Sequence, residues 1–399
     1  MGGAEAALVE ILAGIRAAEP EWKLDLIVSA DGPLAAKAVA LGVSTHVLPF
    51  PASVARLGDS AAGGPAGNST RRLSLLRQLL FASPEVRVYA ASLRKMLRQL
   101  APDVIHSNGF KMHILGAMAK PSQVPLVWHI HDYVQARPLM ARLMNLCRRR
   151  CHLALANSNS VAQDIRAACG NTLPVQTLYN GIDTTFFSPR GERLDLDSLS
   201  GLPAPDPLAR DVIRVGMLAT LARWKGHEVF LRALSLISPE LPLRGYIVGD
   251  ALYQTDGSQY SLAELKGMAR QLGISDRVGF SGFVDQPAAA MRSLDIVVHA
   301  STEPEPFGLV IVEGMACGRA VIASEAGGAA ELIESAVTAL GHTPGDAAQL
   351  AERITQLVTD PHLRARLGAA GRATVERRFN RTRLAEELLP IYRAAMTAP

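Results

Sequence analysis

Short apolar runs alternate along the chain with longer segments of helical period. The apolar runs lie at residues 24–30, 43–50, 103–108, 125–132 and 153–158 in the first half, and at 212–218, 243–250, 277–283, 295–301 and 319–324 in the second. Alternation of this kind is typical of parallel strands linked by helices. We therefore predict an α/β protein with two Rossmann-like sheets, one in each half.

Length and composition agree with that pattern. A chain of 399 residues is too long for one ordinary core and fits two domains. Residues 190–211 are rich in proline and have no sustained apolar period, so we predict an irregular connecting segment there. Hydrophobic residues make up 48% and charged residues 20%, which is globular composition.

The chain has no apolar run of membrane-spanning length, and its N-terminus lacks the pattern of a secretory signal. We therefore predict a cytoplasmic protein. Its four cysteines do not form a disulfide framework or the paired CxxC motifs of a structural zinc site, so we expect reduced thiols and no metal.

Charge is divided unevenly along the chain. Residues 1–180 hold 19 Lys/Arg against 11 Asp/Glu, whereas residues 181–399 hold 22 against 26. Arg142 and Arg148–Arg150 lie on a predicted helix. We favour the interpretation that these arginines form a solvated face of that helix. The alternative is peripheral contact with an anionic membrane or a phosphorylated acceptor. Charge runs lack interleaved aromatics, so we expect no nucleic-acid partner.

The segment 303–318, EPEPFGLVIVEGMACG, places two carboxylates eight residues apart across a Phe-Gly pair. Glu305 is predicted in a loop and Glu313 in an apolar helix, where an ionised side chain needs a partner. A ligand with hydroxyl groups is such a partner. Phe307-Gly308 allows a tight entry into the helix, whose first backbone N–H groups form a site for an anion such as a diphosphate.

This segment resembles the donor-site signature of the retaining family 4 glycosyltransferases of the GT-B fold, also called glycosyltransferase group 1. The resemblance covers nearly the whole chain through five further motifs: GGAE at 2–5, HIHD at 129–132, NGID at 180–183, WKG at 224–226 and AGG at 326–328. It implies two Rossmann-like domains facing a central cleft. Residues 1–185 would form the acceptor domain, with a helix at 381–399 crossing back to it, and residues 186–380 the nucleotide-sugar domain.

The resemblance implies a retaining glycosyltransferase that moves a hexose-type sugar from a UDP- or GDP-type donor to a hydroxyl acceptor. The acceptor would be a glycan, a glycolipid or a small glycoconjugate, and no metal or other cofactor is expected. Asp195-Leu196-Asp197 spells the DxD of metal-dependent transferases, but it lacks a preceding strand and is interpreted as chance. Two alternatives remain open: a nucleotide-sugar epimerase of the same fold, and a non-catalytic sugar-nucleotide binder.

The same resemblance assigns roles to individual residues. Lys225 would hold the donor phosphates, Glu305 would contact the transferred sugar, and His131 would turn toward that sugar with Asp132 orienting it. These three, His131, Lys225 and Glu305, are the predicted catalytic residues. Glu313 would accept hydrogen bonds from the ribose hydroxyls, which suits an acceptor-only carboxylate. The predicted donor-binding residues are Gly3, Thr220, Arg223, Phe283, Val284, Phe307, Gly308, Leu309 and Glu313.

Two departures from the family pattern stand out. Where the family has GRL, with an Arg on the diphosphate, this chain reads Ala219-Thr220-Leu221. Either Arg223 supplies the second cation or the site works with one. The family's first strand also precedes the glycine pair, yet Gly2-Gly3 follow Met1 directly. Our hypothesis is that the gene start lies upstream of Met1, leaving a gap in the first sheet.

Overall fold

The computed structural model describes residues 2–52, 68–204, 211–251 and 257–397, with the side chains of 68–83 excepted. The chain divides into two compact units. The first comprises Met1–Gly181 and Arg381–Pro399, and the second comprises Ile182–Asn380.

The described strands of the first unit form two parallel sheets. The smaller sheet pairs β1 (Asp25–Val28) with β2 (Ser44–Val47). The larger sheet runs in the order β3-β4-β5-β6, with strands β3 (Ile105–Asn108), β4 (Leu126–Ile130), β5 (Leu153–Ala156) and β6 (Val175–Thr177). Every residue of β4 is buried, as expected for a central parallel strand covered on both faces.

Helices connect these strands in the manner of βαβ units. They are α1 (Gly3–Ala18), α2 (Pro33–Ala40), α3 (Asn68–Leu100), α4 (Phe110–Ala119), α5 (Pro138–Cys147) and α6 (Asn159–Cys169). α6 shows why such a helix begins where it does, because the Ser158 hydroxyl accepts the N–H of Val161 and caps the first turn.

The second unit holds one six-stranded parallel sheet. Its strands are β7 (Ile213–Leu218), β8 (Leu243–Val248), β9 (Val278–Gly282), β10 (Ile296–His299), β11 (Ala320–Ser324) and β12 (Leu340–His342). They lie in the order β9-β8-β7-β10-β11-β12. This is the Rossmann order, in which the direction of strand succession reverses between the first and fourth strands, here β7 and β10.

The helices of the second unit are α7 (Leu196–Ser200), α8 (His227–Leu236), α9 (Leu262–Gln271), α10 (Pro287–Arg292), α11 (Leu309–Ala316), α12 (Ala347–Thr359) and α13 (Pro361–Arg378). A last helix, α14 (Arg381–Thr397), belongs to the first unit and packs against α1. None of the helices within the described residues has an apolar stretch long enough to cross a bilayer.

The predicted irregular segment 190–211 is wrong in part, because α7 lies within it. The Asp195 side chain caps α7 by accepting the Ser198 N–H. Asp197 is buried and binds Arg214, Arg244 and the Tyr246 hydroxyl. The DxD carboxylates thus cap α7 and pack it on the sheet. The prolines near α7 led to the prediction of an irregular segment instead of a helix. All four cysteines are free thiols, as predicted.

Candidate active site

The carboxyl ends of β7 and β10 lie side by side at the switch point of the second unit, the position where open α/β sheets bind ligands. The loop after β7 carries Lys225, and the loop after β10 carries Glu305. The two loops are joined by the Thr302 N–H, which donates to the Trp224 carbonyl at 2.8 Å. The site is therefore built from segments eighty residues apart that the strand order brings together.

Gly226 allows this close approach. Its φ is +81°, and a Cβ atom there would lie 1.9 Å from the Ala300 carbonyl oxygen. Both the backbone conformation and the space exclude a side chain. The glycine of the WKG motif therefore sets how near Lys225 comes to the loop that follows β10.

The Lys225 ammonium binds both carboxylate oxygens of Glu305. Its Nζ lies 3.0 Å from Oε1 and 2.8 Å from Oε2. The same Nζ lies 4.0 Å from the centroid of the Trp224 ring, which is within the range of a cation–π contact. Glu305 is 7% exposed, so the pair is largely shielded from water.

A set of polar side chains at the ends of β10 and β11 holds the Glu305 carboxylate. The Ser301 hydroxyl donates to Glu305 Oε2 at 2.8 Å, and His299 Nε2 lies 3.2 Å from the same oxygen. The Ser324 N–H donates to His299 Nδ1 at 3.3 Å, so Nδ1 accepts and Nε2 carries the proton toward Glu305. The Ser324 hydroxyl donates to the Ser301 carbonyl and fixes the loop.

These contacts decide the protonation of Glu305. Burial by itself would raise the pKa of this carboxyl group, but the Lys225 ammonium and the His299 hydrogen bond lower it well below its ordinary value. Glu305 is therefore an ionised carboxylate at neutral pH. Its main chain is also fixed, since its carbonyl accepts the Gly328 N–H at 2.7 Å within the AGG motif.

Helix α11 begins immediately after this loop. Gly308 is its N-cap with φ +97°, and the Phe307 ring is buried against Phe379 at a centroid distance of 6.1 Å. The N–H groups of Leu309 and Val310 begin the helix and have no partner within it, whereas the Ile311 N–H donates to the Gly308 carbonyl at 3.0 Å. Glu313 lies half-buried in the second turn of the same helix. The loop after β10 and the start of α11 thus place the Glu305 carboxylate, which binds Lys225 from the loop after β7, next to amide donors of the helix.

Comparison with known proteins identifies this arrangement. The model of "Glycosyltransferase Family 4" matches residues 1–186, and that of "Glycosyl transferases group 1" matches residues 205–374. The chain belongs to the group 1, family 4 glycosyltransferases. The resemblance expected from the sequence motifs is thereby confirmed.

Curated relatives and solved structures agree with this family. The chain is 32% identical, over 67% of its length and 65% of the relative's, to D-inositol 3-phosphate glycosyltransferase 2 of Catenulispora acidiphila. It is 27% identical, over 70% of its length and 54% of the relative's, to the sulfoquinovosyl transferase SQD2 of Arabidopsis thaliana. The matched part of the chain thus spans between half and two-thirds of these relatives' lengths.

The crystal structure of Anabaena HepE in complex with UDP-glucose superposes with a TM-score of 0.77 at 27% identity, covering 99% of this chain and 96% of that one. The predicted GT-B fold with two Rossmann-like domains is confirmed.

Arg223, which was one of two alternatives for replacing the family's phosphate-binding Arg, is bonded to other groups. Its guanidinium pairs with Glu264 at 2.8 Å, donates to the Gly257 carbonyl at 2.9 Å, and stacks on the Tyr260 ring. The structure therefore does not join Arg223 to Lys225 and Glu305. Thr220, at the position of the family's Arg, is half-buried in the loop directly after β7.

The remaining predicted donor residues lie on other elements. Phe283 and Val284 follow the carboxyl end of β9, and the Phe283 side chain is 65% exposed. Gly3 lies in the first unit as the first residue of α1, after the N-cap Gly2.

His131 also lies in the first unit, directly after β4. Both of its ring nitrogens are buried without a hydrogen-bond partner among the described residues, and its ring lies 4.1 Å from that of His129. Burial, with a smaller effect of His106, lowers the pKa of His131 to about 3. The expectation that Asp132 orients His131 is wrong, because that carboxylate accepts from Arg137 and from the Tyr133 N–H. The Arg137 guanidinium and the adjacent Tyr133 N–H hold the Asp132 side chain in its rotamer.

His299 and Ser301 were not among the residues predicted from the sequence, and Ser324 had no predicted role. Their signal was present, since His299 and Ser301 end a strand that the apolar pattern predicted. Their contact with Glu305, and through it with Lys225, depends on the pairing of β10 with β7, which the local pattern does not give. Within the described ranges, no group of three or more His, Cys, Asp or Glu side chains has the geometry of a metal site.

Proposed function

We propose that this chain is a retaining glycosyltransferase that moves a hexose-type sugar from a nucleoside diphosphate sugar to a hydroxyl acceptor. The observation that carries the proposal is the convergence, at one Rossmann switch point, of the Lys225–Glu305 pair with the amino end of α11. A cation and unpaired helix amides in one place suit a diphosphate.

Lys225 supports the leaving group in this proposal. Negative charge on the departing diphosphate grows in the transition state, so a fixed ammonium and fixed amides stabilise that state more than the bound donor. Glu305 keeps Lys225 in place, because it accepts from the ammonium with both oxygens. Its carboxylate, an acceptor only, is also suited to hydroxyl groups of the transferred sugar.

Glu313 is proposed to bind the ribose. It lies four positions after Leu309, one helical turn along α11, so a nucleoside whose phosphates meet the helix amides brings its sugar near this side chain. A carboxylate accepts two hydrogen bonds from a vicinal diol. Phe283, exposed at the end of β9, offers an apolar surface for the base.

Retention follows from front-face attack. The bond between the anomeric carbon and the diphosphate breaks, the acceptor oxygen bonds to the same face, and a departing phosphate oxygen takes the acceptor proton. No metal is needed for this step, because Lys225 and the helix amides supply the positive charge. UDP-glucose in the HepE structure supports a UDP-sugar as donor, and the name of the D-inositol 3-phosphate glycosyltransferase supports a hydroxyl acceptor on a polyol.

Contact with an anionic membrane is the less favoured extension of this proposal. Arg148 is bonded to the Thr172 hydroxyl and the Asn145 carbonyl, and Arg150 to the Lys120 carbonyl. These bonds support the interpretation of the basic run as a solvated face that also serves the fold.

A donor screen tests the function. UDP-, GDP- and ADP-sugars are added to the full chain and the thermal midpoint is recorded, since a ligand bound only by the native state raises it. We expect a UDP-sugar to stabilise the protein, and Lys225→Ala to weaken that binding by about tenfold or more. Lys266→Ala, which removes an exposed lysine of the same unit, is the matched control and should change nothing.

The product then separates the candidate reactions. NMR of the transferred sugar should show the anomer of the donor, and an inverted anomer would contradict the retaining mechanism. Conversion of the donor sugar without any acceptor would indicate an epimerase. Donor binding with neither hydrolysis nor transfer would indicate a non-catalytic binder.

A further inference from the structure

Trp224 joins the two loops that build the candidate active site. It is the middle residue of a single 3₁₀ turn, Arg223–Lys225, in the loop after β7. Its carbonyl accepts two hydrogen bonds from Thr302 in the loop after β10, one from the N–H at 2.8 Å and one from Oγ1 at 3.2 Å. The main chain of Trp224 is therefore fixed against the loop that carries Glu305.

A second set of contacts fixes the same turn. The Arg223 N–H donates to the Ser258 carbonyl at 3.0 Å. The Arg223 side chain adds its pairing with Glu264 and its stacking on the Tyr260 ring. Because the main chain of the turn is held by both sets of contacts, the Lys225 side chain is the part of the turn that still needs to be positioned.

The Lys225 ammonium is held by two groups of different chemistry. Glu305 binds it with both carboxylate oxygens, at 3.0 and 2.8 Å, and the centroid of the Trp224 ring lies 4.0 Å from Nζ. Only 20% of the Lys225 side chain is exposed, and Trp224 itself is half-buried. An ammonium shielded from water is attracted more strongly to the face of an aromatic ring than an exposed one, and indole is the best ring for this contact.

The ring holds the ammonium without competing for the ligand. An ammonium has three N–H donors, and the two oxygens of Glu305 occupy two of them. A second carboxylate in place of the ring would take the third donor and would repel an anionic ligand. The indole face attracts the ammonium but adds no net charge, so the third donor stays available to a phosphate oxygen.

We propose that Trp224 is a positioning residue for donor binding, which holds the Lys225 ammonium where the diphosphate of the donor meets it. This role rests on the proposed function, in which Lys225 binds that diphosphate. Without the ring, the flexible lysine stem is restrained by Glu305 alone and samples more rotamers. Loss of the ring therefore weakens the binding of the phosphates and leaves the binding of the nucleoside unchanged.

The affinities of the full chain for UDP and for uridine test this role. Trp224→Leu removes the aromatic face, and we expect it to weaken UDP binding by about tenfold while uridine binding changes by less than about twofold. Trp224→Phe keeps a weaker aromatic face and should lie between Trp224→Leu and the parent. The control is Phe186→Leu, which removes an exposed ring of the same unit that contacts Phe187, and it should bind UDP as the parent does.

A double-mutant cycle separates positioning of Lys225 from direct contact with the nucleotide and from general support of the fold. If Trp224 acts through Lys225, Trp224→Leu should change the affinity for UDP by less than about twofold when residue 225 is already alanine. An undiminished effect of Trp224→Leu in the Lys225→Ala background would show that the ring acts independently of the lysine, and would overturn the inference.

Fluorinated tryptophan provides a test that keeps the shape of the ring, for the case in which Trp224→Leu does not fold. Fluorine on the rings of all three tryptophans weakens the negative potential of the ring face. We expect this labelling to weaken UDP binding by about threefold or more in the parent chain. In the Trp224→Phe chain only Trp22 and Trp128 of the first unit are labelled, so labelling should leave the affinity unchanged.

The outcomes keep this role distinct from the proposed function. If Lys225→Ala weakens UDP binding while Trp224→Leu and the fluorinated chain bind UDP like the parent, the lysine binds phosphate without help from the ring and the inference is wrong. If Lys225→Ala binds UDP like the parent, the proposed donor site is wrong and the inference falls with it. Equal weakening of UDP and uridine by Trp224→Leu would also overturn the inference, because the loss would then belong to the nucleoside site or to the fold.

Discussion

At the scale of single residues, the site depends on one buried carboxylate and the groups that hold it. Glu305 binds Lys225 with both oxygens and accepts from Ser301 and His299. A buried ion pair is useful only when its hydrogen bonds are complete, because each missing bond leaves part of the desolvation cost uncompensated. Ser301 and His299 therefore position the pair.

Ser301→Ala tests this positioning. The substitution removes a hydroxyl that donates to a buried carboxylate, so we expect the second unit to lose about 1.5–3 kcal/mol of stability at pH 7. Ser301→Thr keeps the hydroxyl and should recover part of the loss. The control is Ser235→Ala, whose hydroxyl donates only to the Arg232 carbonyl one turn earlier and is exposed. Urea unfolding measures all three, and equal midpoints for Ser301→Ala and Ser235→Ala would contradict the role.

At the scale of elements, the sequence pattern predicted ten strands and all ten are present. β6 and β12 were missed because three-residue strands carry too little periodicity. Lys225, Glu305 and Glu313 were predicted from local motifs, and the structure pairs Lys225 with Glu305. The role of Ser301 was not predicted, because it depends on which strands are neighbours. The rotamer of Asp132 was not predicted either, because it depends on which hydrogen-bond donor lies nearest. Strand order is a long-range property that local pattern does not contain.

Strands β3 and β4 also bring together histidines that affect stability through pH. The His129 ring is T-shaped against His106 and tilted against His131, and His113 lies against Trp128. Burial lowers the pKa of His106 to about 4 and of His131 to about 3, and it lowers those of His113 and His129 well below their ordinary value. The folded first unit therefore keeps these rings neutral.

The sign of the pH effect follows. Below pH 6.5 the unfolded chain takes up a proton on each histidine while the folded unit does not, so stability is greatest above 6.5 and falls as the pH drops toward 4. Each such histidine contributes a slope of about 1.4 kcal/mol per pH unit. His129→Leu should lower the pH dependence of stability by the contribution of one histidine. The substitution leaves no hydrogen-bond partner unpaired, since neither ring nitrogen of His129 has such a partner among the described residues.

The measurement uses the two tryptophans of the first unit. In a Trp224→Phe background the remaining tryptophans, Trp22 and Trp128, both lie in the first unit and report its unfolding. Urea midpoints are compared from pH 7.5 to 5. His152→Gln, which replaces an exposed histidine of the same unit, provides the control variant. A pH-independent midpoint in the parent would refute the prediction.

At the scale of the whole molecule, the two units differ in charge as well as in sequence. The first unit carries 22 Lys/Arg against 13 Asp/Glu and the second 19 against 24. The proposed donor is an anion, yet its predicted phosphate ligand Lys225 lies in the acidic unit. Overall attraction therefore does not explain donor binding, and fixed local groups must supply the positive potential.

Hydrogen exchange across the full chain distinguishes local from general binding. If the donor is bound by Lys225 and the amino end of α11, UDP should slow exchange in residues 219–226 and 300–313 and leave β3 to β6 of the first unit unchanged. Lys225→Ala should remove that protection at the same UDP concentration, whereas Lys266→Ala should preserve it. Because a site built from fixed groups is shielded from salt, the protection should change little between 50 and ~200 mM NaCl. Protection confined to the basic first unit, or lost steeply with salt, would show that net charge rather than the switch-point geometry binds the nucleotide.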